Sequence, residues 1–253
     1  MMNEVNSTLM NPKGVTTGRG MGWFTDGFGL FKSSPLVWIG TIIVFVILVI
    51  VVQLIPVLGS LLINIFFPVF LGGLMLGCRD QDQDGAFGIG HLFAGFSQPC
   101  FGRLAILGVF YFIASIILVV LMIIMLFFLL GGTGFIEQIQ SGQAEQALSD
   151  PKPILLASLI VALIAMPLLM AEWFAPALVA FQEISPIDAM IMSFKGCLVN
   201  VMPFLIYGII GFILSIIAAI PIFLGFLILL PVLFCSVYVA YKDIFEDQTQ
   251  TSL

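Results

Sequence analysis

Residues 36–57 read LVWIGTIIVFVILVIVVQLIPV, an apolar run without a charged side chain. A helix needs about 20 apolar residues to cross the hydrocarbon core of a membrane, so this run is long enough to span one. It must be a helix or part of a closed barrel, because lipid offers no hydrogen-bond partner to backbone groups. The period-two alternation of a barrel strand is absent. The run therefore predicts a transmembrane helix.

Further runs of the same kind follow, and the composition of the chain agrees with them. Of the 253 residues, 61% are hydrophobic and 9% are charged, against about 25% charged in ordinary soluble domains. The mean hydropathy is +1.21. We predict an all-α polytopic membrane protein whose six transmembrane helices occupy residues 36–57, 59–78, 104–130, 154–182, 201–221 and 223–241.

The polar connections between these runs predict their orientation. Tight Pro/Gly turns join the first helix to the second and the fifth to the sixth, and a polar loop joins the third to the fourth. Every Lys and Arg except Lys152 falls on the opposite side. Because positive residues are retained in the cytoplasm, we predict three in-out-in hairpins with both termini cytoplasmic. Residues 1–22 and 247–253 are then flexible cytoplasmic tails, and 23–246 form one transmembrane domain.

The first and third hairpins resemble each other at an offset of 163 residues. The matches are Phe31-Lys32 with Phe194-Lys195, Pro68-Val69 with Pro231-Val232, Arg79-Asp80 with Lys242-Asp243, and Asp84 with Asp247. The middle hairpin fits more loosely, with Pro176 in the place of Pro68 and Pro231. We predict an internal repeat of three hairpins around an axis along the membrane normal.

A short amphipathic stretch precedes each hairpin. The clearest begins at Ser185, which suits the N-cap position, followed by Pro186 at the first helical position. Residues 25–31 and 91–96 look like counterparts. We predict that these three stretches are interfacial helices lying at the cytoplasmic face of the membrane.

Four segments resemble an uncharacterised family of six-helix bacterial inner-membrane proteins. They are FKSSP at 31–35, GHLFAGF at 90–96, WFAPALV at 173–179 and YKDIF at 241–245. The similarity covers nearly the whole chain after Gly18. It implies a location in the bacterial inner (cytoplasmic) membrane and supports six helices, but it carries no activity.

The loop after the second helix contains the densest polar motif, RDQDQDG at 79–85. Asp80, Asp82 and Asp84 begin it like a calcium-binding EF-hand, but the twelfth position holds His91 where a bidentate Glu is required. We therefore predict no metal and no cofactor, with these three aspartates and His91 as weak metal candidates. His91 is expected to cap the interfacial helix.

Catalytic groups are sparse. His91 is the only histidine, and no serine has the setting of a hydrolase nucleophile. The four cysteines, which we expect to be buried small hydrophobic residues, are Cys78, Cys100, Cys197 and Cys235. Cys100 or Cys197 acting with His91 is the remaining nucleophile option. We expect that the protein is not an enzyme.

Glu172 is predicted to lie near the membrane midplane. An ionisable residue at that depth costs about 2.5–3.5 kcal/mol on insertion scales if charged. Glu172 and Asn64 each stand four residues before a proline, Pro176 and Pro68, and Pro231 is the third such proline. Proline removes the hydrogen bond to the carbonyl four residues back. Glu172 and Asn64 therefore form a predicted intramembrane polar site, either as glue between helices or on a path for a proton, ion or substrate.

Two functions remain open from the sequence. The first is a non-catalytic scaffold, or a component that binds a protein partner at the cytoplasmic face or lipid of the bilayer. The second is a small transporter or channel with Glu172 in the path. A homo-oligomer is possible in either case, and the net charge of −6 predicts no binding to nucleic acid.

Overall fold

The computed structural model describes residues 11–97, 99–141 and 150–246, and these are almost entirely helical. The helices are α1 (Arg19–Ser33), α2 (Pro35–Gln53), α3 (Leu58–Asp82), a 3-10 helix (Ile89–Phe96), α4 (Phe101–Leu129), α5 (Thr133–Gln140), α6 (Lys152–Trp173), α7 (Ala175–Gln182), α8 (Pro186–Val199), α9 (Val201–Ala219) and α10 (Phe226–Phe245). No strand occurs within the described ranges. The all-α prediction is confirmed.

Six of the described helical segments are long and apolar enough to cross a membrane. They are Pro35–Gln53, Leu58–Asp82, Phe101–Leu129, Lys152–Gln182 (α6 with α7), Val201–Ala219 and Phe226–Phe245. Each coincides with one of the runs predicted from the sequence. The prediction of six membrane-length helices is therefore confirmed.

The ends of the spans differ from the predictions where the chain turns. α2 ends at Gln53 rather than near position 57, and α10 begins at Phe226 rather than at 223. Val57, Ile222 and Phe223 adopt positive φ angles of 62°, 51° and 62°, outside the range of a right-handed helix. Residues that were predicted to be helical therefore lie in the tight turns.

The fourth span is interrupted, in contrast to the continuous helix predicted over 154–182. α6 ends before Phe174, and α7 has Pro176 in its first turn. A proline inside a helix loses one backbone hydrogen bond and collides with the carbonyl four residues earlier, whereas a first-turn proline carries neither cost. Pro176 therefore starts a helix, while Pro68 and Pro231 lie inside α3 and α10.

The N-terminal segment packs on the helices from Lys13 onward, in contrast to the flexible tail predicted for residues 1–22. The backbone N–H of Lys13 donates to the carbonyl of Ile244 at 2.9 Å. That of Val15 donates to Oδ1 of Asn200 at 2.7 Å. α1 then begins inside the predicted tail. Residues 1–10 and 247–253, with the Asp247 match of the repeat, lie outside the described residues.

The contacts divide the chain into two units, Met1–Val109 with Met170–Leu253, and Phe110–Leu169. In the first unit, each of the three short helices predicted to be interfacial packs on an even-numbered span. The 3-10 helix packs on α3, α8 packs on α7, and α1 packs on α10. The predicted N-cap of α8 is confirmed, because Ser185 Oγ accepts from the backbone N–H of Asp188 at 3.2 Å.

Glycines allow two of these crossings to be close. A Cβ added to Gly27 of α1 would stand 2.7 Å from the backbone nitrogen of Ser236 in α10. A Cβ added to Gly95 of the 3-10 helix would stand 3.1 Å from the backbone nitrogen of Gly73 in α3. Gly20 lies inside the predicted tail, and a Cβ added there would collide with the carbonyl oxygen of Pro203 in α9. Glycines therefore allow close helix packing at these positions.

The third crossing uses a serine. Ser193 of α8 accepts a hydrogen bond from the backbone N–H of Phe174 at 2.9 Å and donates to the carbonyl of Met170 at 2.7 Å. The hydroxyl thereby binds backbone groups at the break between α6 and α7. A small residue therefore lies at each of the three crossings.

The second unit contains most of α4, all of α5 and most of α6. Its described apolar side chains are largely exposed; Ile117 and Leu163 show 60% and 73% of their surface. Such a surface suits lipid, whose tails are as apolar as these side chains. Gly131 and Gly132, with φ angles of 102° and 61°, turn the chain after α4.

Candidate functional site

Glu172, the predicted intramembrane site, lies in the last turn of α6, just before the break at Phe174. Its side chain is half-buried. The neighbouring carbonyl of Met170 accepts from Ser193 Oγ and, at 3.5 Å, from the Cys197 thiol. Side chains of α8 therefore support the backbone around Glu172, where an interrupted helix leaves carbonyls without their usual partners.

Asn64, the predicted companion of Glu172, bonds within its own helix. Its Nδ2 donates to the carbonyl of Ser60 at 2.8 Å, and its side chain is exposed. This bond gives Asn64 a local role in α3. A contact between Asn64 and Glu172 stays a prediction.

A second group of polar residues gathers where α1, α3 and α10 meet. We call it the polar end, and it comprises Arg19, Trp23, Asp26, Arg79, Gln81, Asp82, Tyr238, Lys242, Asp243 and Glu246. This group was not predicted from the sequence. The matching pairs Arg79-Asp80 and Lys242-Asp243, 163 residues apart, were a signal that charged residues recur at the ends of α3 and α10.

Asp243 anchors α1 to α10. Its Oδ2 accepts from Arg19 Nε at 2.6 Å and from the indole N–H of Trp23 at 2.8 Å. Arg19 also pairs with Asp26 at 3.0 Å. Burial lowers the pKa of the Arg19 guanidinium, but the hydrogen bonds and charges of Asp243 and Asp26 outweigh it and raise that pKa overall. Arg19 therefore stays charged and bound to both carboxylates.

Reciprocal ion pairs join α3 to α10. Arg79 Nη2 lies 2.7 Å from Oε1 of Glu246, and Lys242 Nζ contacts Oδ2 of Asp82. Asp82 also accepts from the hydroxyl of Tyr238 at 3.0 Å. Each helix thus supplies a cation to a carboxylate at the end of the other. Arg79 and Lys242 occupy matching positions in the predicted repeat.

Gln81 joins α3 to α1 and α2. Its Nε2 donates to the carbonyl of Leu30 at 2.9 Å and to Ser33 Oγ at 2.5 Å. Its Oε1 accepts from the indole N–H of Trp38 at 3.0 Å. With these bonds, the polar end holds the ends of several helices together.

A cleft of about 410 Å³ opens at the polar end. It is lined by Arg19, Asp26, Gly29, Leu30, Asp82, Val239, Lys242 and Asp243. Its cations already pair with its carboxylates. The charges that line the cleft therefore neutralise one another, and each of these cations and carboxylates has a partner.

The aspartates of the EF-hand-like loop point to different partners. Asp80 pairs with His91 at 3.0 Å, and Asp82 belongs to the α3–α10 ion pairs. Asp84 occupies the turn with a φ of 61°. Among the described residues, no group of three or more His, Cys, Asp and Glu side chains could hold a metal ion. The weak metal candidates are not brought together.

Both ring nitrogens of His91 have partners. Nδ1 accepts from the backbone N–H of Gly88 at 3.0 Å, which caps the 3-10 helix. Nε2 then carries the proton and donates to Asp80 at 3.0 Å. Neither nitrogen is aimed at a cysteine. The Cys–His arrangements considered from the sequence are therefore not assembled.

The four cysteines are buried and free. The thiols of Cys78 and Cys235 lie 4.0 Å apart, between α3 and α10. Burial raises the pKa of Cys197 to about 12, so this residue is a thiol at neutral pH, and the nucleophile would be a thiolate. The expectation of buried cysteines is confirmed.

Comparison with known proteins gives one whole-length similarity. The chain is 28% identical over 261 residues to a protein of Burkholderia thailandensis named "Probable inner membrane protein", covering 92% of this chain and 93% of that protein. No family model matches the chain. No solved structure matches it. The similarity agrees with the resemblance to six-helix inner-membrane proteins, and the chain is a multi-pass membrane protein by its six apolar spans.

Proposed function

We propose that this protein is a non-catalytic component of a bacterial inner membrane, a scaffold that binds a protein partner or lipid. The six spans and the name of the Burkholderia relative support the location. The observation that carries the role is the pairing of Arg79 with Glu246 and of Lys242 with Asp82. These charges stabilise the fold instead of serving a reaction, and they make the polar end a fixed surface.

The orientation is part of the proposal. Lys13, Arg19, Arg79 and Lys242 all lie close to the end of α10. Cations gathered at one end of the spans support a cytoplasmic position for that end under the positive-inside rule. Both termini are then cytoplasmic, and the polar end faces a protein partner in the cytoplasm.

The three-hairpin repeat is also proposed. The even-numbered spans each carry one interfacial element, and Ser236 and Gly73, at two of the crossings, are 163 residues apart. Phe174 lies at the third crossing, where it contacts Ser193, and is therefore the residue of the fourth span that corresponds to Gly73 and Ser236. Pro176 is then not the equivalent of Pro68, and we propose that these three crossings lie at equal depth in the membrane.

Recovery of a partner tests the scaffold role. The tagged full-length protein, cross-linked in its native membrane and purified, is expected to carry a stoichiometric protein, either another chain or a second copy. Arg79→Glu, which breaks the α3–α10 pairing, should release it, and Arg79→Lys should retain it. Solute flux into proteoliposomes that depends on Glu172 would overturn the proposal.

A transporter or channel is the second candidate function. Its support is the break at Phe174 beside the half-buried Glu172, because discontinuous spans build the binding sites of many transporters. Glu172 does not line the polar cleft or the apolar cavities of about 540 and 370 Å³ in the first unit. Proton or cation flux in proteoliposomes, lost in Glu172→Gln with the fold intact, would establish this function.

A further inference from the structure

Two lysines of the first unit are not used in the charge pairing. Arg19, Arg79, Arg103 and Lys242 each pair with a carboxylate. Lys32 of α1 and Lys195 of α8 are exposed and form no ion pair within the described residues. Their charges are therefore available to a ligand outside the chain.

Each of these lysines follows an exposed apolar side chain by one helical turn. Phe28 precedes Lys32 on α1 and has 48% of its surface exposed, and Ile191 precedes Lys195 on α8 with 46% exposed. Residues four apart on a helix lie on one face. Both pairs also match at the offset of 163 residues, so the same surface is built twice.

We propose that Lys32 and Lys195 bind the headgroups of anionic phospholipids. An interfacial helix buries its apolar side chains at the boundary of the acyl chains, and a lysine beside them extends its ammonium group to the phosphate level. Free phosphate carries no apolar part and would leave Phe28 and Ile191 without a role. The occupant is therefore a lipid, and the inference deepens the proposed role by naming one partner class.

The third of these elements, the 3-10 helix, lacks this surface. The 3-10 helix exposes an apolar side chain, Phe93, with 42% of its surface exposed. The residue four positions later is the exposed Ser97 instead of a lysine. Ser97 follows the last residue of this helix, and a 3-10 helix has three residues per turn, so Phe93 and position 97 do not share a face.

Lipid retention tests the proposal on the full-length protein. The protein is reconstituted in vesicles of equal parts phosphatidylglycerol and phosphatidylcholine, extracted in mild detergent, and its retained lipids are quantified by mass spectrometry. A basic residue near an anionic surface contributes about 1 kcal/mol, so each lysine is expected to enrich phosphatidylglycerol about fivefold. Lys32→Gln with Lys195→Gln should remove this enrichment, and the two arginine variants should keep it.

A matched variant makes the result specific. Lys152→Gln, an exposed lysine predicted on the other side of the membrane, should leave the enrichment unchanged. Unchanged enrichment in the double glutamine variant would overturn the inference. So would displacement of phosphatidylglycerol by inorganic phosphate, which would assign the lysines to free phosphate.

The test separates this inference from the proposed function. Hydrolysed or modified phospholipid among the retained lipids would overturn the non-catalytic role while leaving the selectivity in place. Loss of thermal stability without loss of selectivity in the glutamine variants would assign the lysines to the fold and would overturn the lipid site alone; Lys32, in the last turn of α1, would then act on the helix dipole.

Discussion

Arg79 near the end of α3 and Glu246 at the end of α10 form an ion pair with 2.7 Å between Nη2 and Oε1. The guanidinium also lies over the ring of Phe181, with Cζ 3.5 Å from its centroid. One side chain thus contacts the ends of two spans, α7 and α10. Substitutions of Arg79 and Glu246 can therefore measure how much this contact between distant segments contributes to stability.

Arg79→Glu should lower the free energy of unfolding by about 1 kcal/mol, since partly exposed ion pairs contribute up to about that much. The double variant Arg79→Glu with Glu246→Arg should recover most of the loss, because the pair is rebuilt in reverse. Unfolding by a denaturing detergent, followed by circular dichroism, measures both. Equal stability losses in the single and double variants would contradict the pairing.

Two glycines of α1 should respond in opposite ways to the same substitution. Gly27→Ala should destabilise the protein by about 1–3 kcal/mol, because its Cβ would stand 2.7 Å from the backbone of Ser236. Gly29→Ala meets nothing within 4 Å and should be neutral or stabilise by up to about 1 kcal/mol. Thermal unfolding of the purified variants measures the difference; matching melting temperatures would exclude the close contact of α1 with α10.

Glu172 should tolerate loss of charge better than loss of polarity. In the scaffold role, Glu172→Gln keeps the shape and the hydrogen-bonding groups and should change stability by less than about 0.5 kcal/mol. Glu172→Leu should cost about 1–3 kcal/mol, because partner groups are left unsatisfied. Detergent unfolding measures stability, and proteoliposome flux measures transport. A glutamine variant that is stable but inactive in flux would favour the transporter.

Reporter fusions test the orientation. Fusions after Asp84, after Asp188 and at the C-terminus should report the cytoplasm, and one near Gln143, which lies outside the described residues, should report the opposite side. The physical reason is the retention of Lys and Arg in the cytoplasm. Alkaline phosphatase and fluorescent-protein fusions read the two sides. An external C-terminus together with cytoplasmic fusions after Asp84 and Asp188 would mean that one of the six spans is wrong.

The sequence by itself determined that this chain has six membrane-length helices. That property is local, because it depends on how each stretch of about 20 residues partitions between water and lipid. The cap of α8 at Ser185 could be predicted for the same reason, since the capping side chain and its target are three residues apart. The helix ends were less predictable, because positive φ angles at Val57 and Phe223 follow from the geometry of tight turns.

Only the tertiary structure decided which distant residues meet. The pairing of Arg79 with Glu246, and of Gly27 with the backbone of Ser236, joins residues that are far apart in the chain. Gly20, predicted to lie in a flexible tail, instead packs against the backbone of Pro203, because helices approach this closely only where no side chain intervenes. The hydropathy of each segment determines whether it prefers lipid or water. The contacts of the polar end depend instead on how the helices are arranged around one another.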